Sequence, residues 1–194
     1  MRAVLFPSYY ILVLVLYSRC PHTSAWRSFK IILKQFDYEA NAKLVDVKIL
    51  VQNNSESSSL SVTINVLETL NDVDMTAGIA LQTEQANFTN LLTKNLNFCK
   101  MLKERNGDPL IRLIYQDLLK HGKWFKECPI QKGIYSLQDY RVDEELLPSF
   151  LAETNFKFSI RLNKPKGEQI FQGVIFGRID KSKGFNNLKM FSLG

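Results

Sequence analysis

Reactive side chains are scarce in this chain. Its 194 residues hold three cysteines and two histidines, which leaves little material for a zinc cluster. No Gly-x-Ser-x-Gly elbow is present, and no His/Cys/Asp spacing suggests a metal site, so neither a metal nor a cofactor is expected. Six prolines and nine glycines exclude a collagen-like or low-complexity chain. Charge of one sign is also modest: 25 Lys+Arg against 19 Asp+Glu give +6 without a dense basic block. That balance permits nucleic-acid binding without pointing to it, and no nucleic-acid partner is expected. Long apolar runs are confined to the N-terminus. Against these shortages stand thirteen Phe, seven Tyr and two Trp, enough for an aromatic-rich core.

The single long apolar run reads as an address. Arg2 is followed by the apolar stretch from Ala3 to Tyr17, centred on Ile11–Leu16, and Arg19 closes it. About 15 apolar residues fall short of the ~20 that a membrane span needs. Thr23-Ser24-Ala25 is a small-x-small site of the kind signal peptidase accepts. The expectation is a signal peptide over 1–25, a mature N-terminus near Trp26, and a secreted, extracellular protein. Removing 1–25 also removes Cys20 and His22, leaving Cys99, Cys128 and His121. An odd cysteine count becomes a pair, and in a secreted chain two cysteines are expected to bond to each other. Two Asn-x-Ser/Thr sequons suit that route, at Asn53 and Asn87, with Asn53 favoured because the run Gln52–Ser59 reads as a solvated loop.

Residues 26–194 show neither repeats nor a linker, so one domain is expected. Its dominant period is two. Leu60–Val66 and Phe156–Leu162 alternate cleanly between apolar and polar residues, as half-buried antiparallel strands do. Weaker strand signals lie at Phe29–Phe36, Leu44–Val51, Met75–Leu81, Ile134–Tyr140, Ile170–Ile179 and Leu188–Phe191, and Asn163–Gly167 reads as a turn. The fold class expected is all-β, a sandwich. One segment breaks the pattern. Asp108-Pro109 is an N-cap followed by proline, and Leu110, Leu113, Ile114 and Leu118 recur at helical spacing. Lys120 and His121 suit the C-terminal dipole, and Gly122 is a C-cap. A helix is therefore expected at about 108–121, bracketed by Cys99 and Cys128, whose bond would clamp both of its ends to the sheet.

Catalytic constellations are weak. His121 at a helix end reads as a charge partner of the dipole rather than a base. Asp143-Glu144-Glu145 could pair carboxylates for glycoside chemistry but reads as a solvated face. No catalytic residue is assigned. On Phe156–Leu162 the face formed by Phe156, Phe158, Ile160 and Leu162 reads, from the residues alone, as packed core. The opposite face carries Lys157 and Arg161. With Lys164, Lys166, Lys123 and Lys126 they form either ordinary surface charge or a ring around a cavity mouth that attracts anionic headgroups.

A family resemblance bears on that choice. It is carried by Phe98-Cys99-Lys100-Met101-Leu102, Asn106-Gly107-Asp108-Pro109-Leu110, Ile114-Tyr115-Gln116-Asp117-Leu118-Leu119 and Glu127-Cys128-Pro129-Ile130, with Leu146-Leu147-Pro148-Ser149-Phe150 beyond them. These stretches resemble a large insect family of small secreted proteins defined only as a domain of unknown function. Its pattern runs Cys-x-x-Leu, Asn-Pro-Leu, a helix with Tyr, then Cys-Pro. Asp108 stands where that family has Asn, and the additional N-terminal cysteines common in it are missing between Trp26 and Phe98. The family is similar in turn to the ML lipid-recognition proteins, which include the ganglioside activator and the insect chemosensory CheB proteins. The resemblance implies an immunoglobulin/ML-like β-sandwich over 26–194 with an apolar cavity between its sheets. It implies a non-enzymatic role in carrying or sensing an apolar small molecule or lipid, chemosensory in one form, with a membrane receptor as a further partner. Candidate wall residues are Phe156, Phe158, Ile160, Leu162, Val62 and Ile64. The alternative is a secreted protein–protein interaction module whose core is fully packed.

Overall fold

The computed structural model describes residues 29–53, 57–83, 86–104, 109–147 and 151–181. The leader expected over 1–25, the strand expected at Leu188–Phe191, the N-cap expected at Asp108 and the segment Pro148–Phe150 lie outside them. Among the described residues eight strands follow in chain order: β1 (Lys30–Ala40), β2 (Val45–Asn53), β3 (Ser58–Val66), β4 (Asp74–Gln82), β5 (Phe88–Asn97), β6 (Gly133–Tyr140), β7 (Thr154–Asn163) and β8 (Gln169–Asp180). Two helices, α1 (Phe98–Lys103) and α2 (Pro109–Leu118), fall between β5 and β6.

The strands form two antiparallel sheets, β1-β8-β7-β4-β5 and β2-β3-β6. The alternating segments do what alternation demands. Val62 and Ile64 of β3, Val47 and Ile49 of β2, and Phe156, Phe158, Ile160 and Leu162 of β7 all turn inward, and the polar residues between them turn out. The expected all-β sandwich with a helical insertion is therefore what the chain forms. The turn at Asn163–Gly167 is a hairpin between β7 and β8. In it Lys164 N donates to Glu168 O at 2.8 Å and Gly167 adopts a φ of +88° that favours glycine.

Three features depart from the expectation. β5 was not legible as a strand. The described ends of the run Gln52–Ser59 belong to strands rather than to a loop: Gln52 and Asn53 end β2 and Ser58 and Ser59 open β3. Ser58 is buried because it ties the sheets together. Its Oγ accepts from Leu33 N at 2.7 Å and donates to Ile31 O at 3.4 Å, beside a bulge in β1 that leaves the ladder irregular there. The helical excursion also starts earlier than expected. Asn97 caps α1 by accepting from Lys100 N at 2.8 Å, so Cys99 sits within a helix rather than ahead of one.

Helix α2 and the 3₁₀ turn that continues it (Leu119–His121) match the expected span. Its buried side is different. Leu113 is exposed, while Tyr115 and Leu118 pack into the core and Asp117 is buried. Gly122 is required by close approach rather than as a left-handed cap: a Cβ there would sit 3.0 Å from the Ser136 carbonyl carbon, with the oxygen nearer still. Cys99 and Cys128 are bonded, with Cα atoms 5.5 Å apart. The bond joins α1 to the segment whose Ile130 bridges Leu70 in the loop before β4. That clamps the excursion as its cysteine spacing suggested.

Candidate functional site

The core is divided. One cluster gathers Leu44, Val66, Val73, Met75, Phe98, Phe125 and Ile170. The other gathers Phe29, Leu33, Leu60, Val62, Leu137, Phe156 and Ile179. Between them lies a waist. Cross-strand register places Phe36 (β1), Ile175 (β8), Phe158 (β7), Ile79 (β4) and Leu92 (β5) opposite one another in a single row on the inward face. The first four are only half-buried and Leu92 is 44% exposed. β7 is the middle strand of five. Inward side chains at the centre of a closed sandwich are sealed by the opposing sheet across ~10 Å. Here a three-stranded sheet faces a five-stranded one, and the row ends at the exposed Leu92 on the edge strand β5.

The six sequence-derived wall residues share the inter-sheet space but differ in environment. Phe158 is half-buried against one cluster, Ile160 against the other, and Ile64 against both. Phe156 and Val62 are buried in one cluster, at 8% and 7% exposure, and Leu162 packs against the other. Sequence reasoning missed Ile79 and Leu92. Ile79 lies within an expected strand whose pairing was unknown, and Leu92 lies in the strand that was not recognised. Trp124, in the loop after α2, packs against both clusters and so faces the waist from the side.

The cations do not ring this opening. Lys157 and Arg161 project from the opposite face of β7. Lys164 is paired with Glu168 at 3.0 Å and Glu68 at 3.4 Å, and the Glu168 hydrogen bond raises its pKa above the ordinary lysine value. Lys123 lies 5.6 Å from the Tyr135 ring centroid. The residues weighed for acid–base chemistry have structural partners. His121 packs edge-on to Tyr140 at 5.2 Å, and Asp143 caps a 3₁₀ turn by accepting from Glu145 N at 2.9 Å. Burial holds the Tyr115 and Tyr140 phenols protonated well above their usual range. The Asp117 carboxylate facing Tyr140 adds to the effect there. Tyr115 donates to the Phe125 carbonyl, anchoring α2 to the loop that carries Trp124.

Both sequon asparagines are exposed, Asn53 at the end of β2 and Asn87 just ahead of β5.

No curated protein matches the chain in sequence. Among solved structures, the crystal structure of chicken MD-1 complexed with lipid IVa is similar at 12% identity and a TM-score of 0.34, over 77% of this chain and 96% of that one. The residues that carried the family resemblance, Cys99, Pro109, Tyr115 and Cys128, fall inside the stretch 73–158, and that stretch matches the model of the family described as a protein of unknown function (DUF1091).

Proposed function

We propose that this protein is a secreted, non-catalytic carrier of an apolar small molecule or lipid, held between its two sheets at the waist. The observation that carries the reading is the half-buried apolar row Phe36–Ile175–Phe158–Ile79–Leu92 on the inward face of the larger sheet, exposed at its β5 end. A hydrocarbon chain lying along it removes that surface from water at ~0.8 kcal/mol per CH₂. About ten methylenes give ~8 kcal/mol before association costs, enough for micromolar affinity without a strong polar contact.

Secretion rests on the leader expected over 1–25, on the bonded pair Cys99–Cys128 and on the exposed sequon asparagines Asn53 and Asn87. In a chemosensory form of the role the carrier would pass its ligand to a membrane receptor.

Mass spectrometry of organic extracts from the purified, folded, secreted protein tests the reading. Lipid or another apolar molecule in stoichiometric amount is expected. A clean extract from protein that also takes up no added fatty acid returns the chain to the packed-core interaction module.

A further inference from the structure

A second concavity lies on the outer face of the larger sheet, away from the waist. It has a volume of about 390 Å³ and crosses β8, β7, β4 and β5. On β7 the side chains of Lys157, Ser159 and Arg161 alternate outward into it. Neither Lys157 nor Arg161 makes an ion pair with any described residue. Four residues apart on one strand, their Cα atoms are about 13 Å apart at 3.3 Å per residue.

The floor between the two cations is mixed, with Ala80 and Val174 among its apolar residues. Thr76 of β4 and Ser159 contribute hydroxyls, and Asn90 of β5 and Gln172 of β8 contribute amides. Gln172 donates to Glu39 at 3.3 Å, which bounds the groove on the β1 side. The other end has an aromatic wall. Phe88 packs edge-on to Phe176 with centroids 6.3 Å apart, and Lys157 Nζ lies 6.0 Å from the Phe176 centroid. The aromatic pair therefore supports the lysine stem and pre-orders its charge.

We infer that this groove binds an anionic oligosaccharide, with sulfate or carboxylate groups at Lys157 and Arg161 and sugar rings between them. Two uncompensated cations call for an anion with charges spaced along its length. Thr76 donates to Asn95 at 2.7 Å and Ser159 to the Gly78 carbonyl at 3.5 Å, and their remaining lone pairs, with the Asn90 amide, suit sugar hydroxyls. The exposed Phe88 ring offers a surface for the C–H face of a pyranose. The site is independent of the inter-sheet cleft, because it uses the opposite face of β7.

Heparin oligosaccharides, titrated at fixed ionic strength, are the probe. The chain is basic overall, so a charge-matched control is required. Lys157→Ala/Arg161→Ala should weaken binding about tenfold or more, and Lys43→Ala/Lys48→Ala, exposed positions on and beside the other sheet, about twofold. Asn90→Ala/Thr76→Ala keeps every charge and should still cost about fivefold. Melting temperatures measured alongside identify folded variants, and Lys157→Gln/Arg161→Gln replaces the alanine pair if it unfolds. Equal losses in the groove and control pairs, or full affinity in the charge-preserving pair, overturn the assignment. So does binding of the wild type to phosphatidylserine vesicles in preference to heparin.

Discussion

The ring of Phe156 lies across the backbone of Gly177, its direct partner on the neighbouring strand β8. A Cβ on Gly177 would stand 2.6 Å from Phe156 Cε1, with Cζ closer, and 2.8 Å from the Ile32 carbonyl oxygen. The glycine is thus a socket for the aromatic ring that anchors one core cluster. Gly173, four residues back along β8, leaves the same room for Phe36 and Phe171. Gly177→Ala should cost about 1–3 kcal/mol of stability through overpacking. Gly78→Ala, which meets only the rotatable Ser159 Oγ at 3.0 Å and the Thr93 Oγ1 at 3.4 Å in side chains, should cost less. Urea unfolding of the two variants checks the order, and equal midpoints would remove the socket.

The two buried tyrosines set an alkaline limit. Tyr115 and Tyr140 have folded pKa values raised above the unfolded value of about 10, chiefly by burial. Their contribution is complete below pH 10. Above it the unfolded chain loses protons that the folded chain keeps, so stability falls as pH rises. With both groups active the slope approaches about 2.7 kcal/mol per pH unit. Thermal melts between pH 8 and 12 should show the fall beginning near pH 10. Tyr115→Phe should halve its steepness, and an unchanged slope would contradict the assignment.

Disulfide loss should be a large perturbation. Cys99 and Cys128 close a separation of 29 residues, worth about 3–4 kcal/mol in the chain-entropy account. That is a large part of the 5–15 kcal/mol typical of a domain. Cys128→Ala should therefore lower the urea midpoint markedly and reduce the yield of secreted protein. Native protein with both thiols open to alkylation would contradict the bond.

The leader expected over 1–25 gives a chemical prediction. N-terminal sequencing of secreted material should begin near Trp26, and enzymatic deglycosylation should lower its mass if the exposed Asn53 or Asn87 is used. Retention of Met1 or Arg2 would remove the argument for secretion and restore Cys20 as a competing thiol.

How far the sequence could be read depends on which faces are buried. β3 and β7 announce themselves because each has one dry and one wet face. β5 does not, because it is an edge strand with most of its residues exposed on both sides, so burial imposes no period on it. Ser58 and Ser59 misled for the converse reason. They are buried at 5% and 6% exposure, yet polar, since Ser58 completes hydrogen bonds at the β1 bulge. The short helix α1 had a readable cap in Asn97 but only six residues to follow it. Alternation placed the inward face of β7 correctly. The waist was not legible, because it depends on a three-stranded sheet facing a five-stranded one, and the outer groove depends on the registers that bring β4, β5 and β8 alongside Lys157 and Arg161.

The most direct test of the carrier reading is a titration of folded wild-type protein with a fluorescent fatty acid, alongside Leu92→Asp at the exposed end of the row. Leu92 is 44% exposed, so the substitution should leave the melting temperature nearly unchanged. The account predicts saturable, micromolar uptake by the wild type and a loss of about tenfold in the variant. Folded wild-type protein that shows no saturable uptake, or a folded variant that binds as well as the wild type, would contradict a ligand held along Phe36, Ile175, Phe158, Ile79 and Leu92.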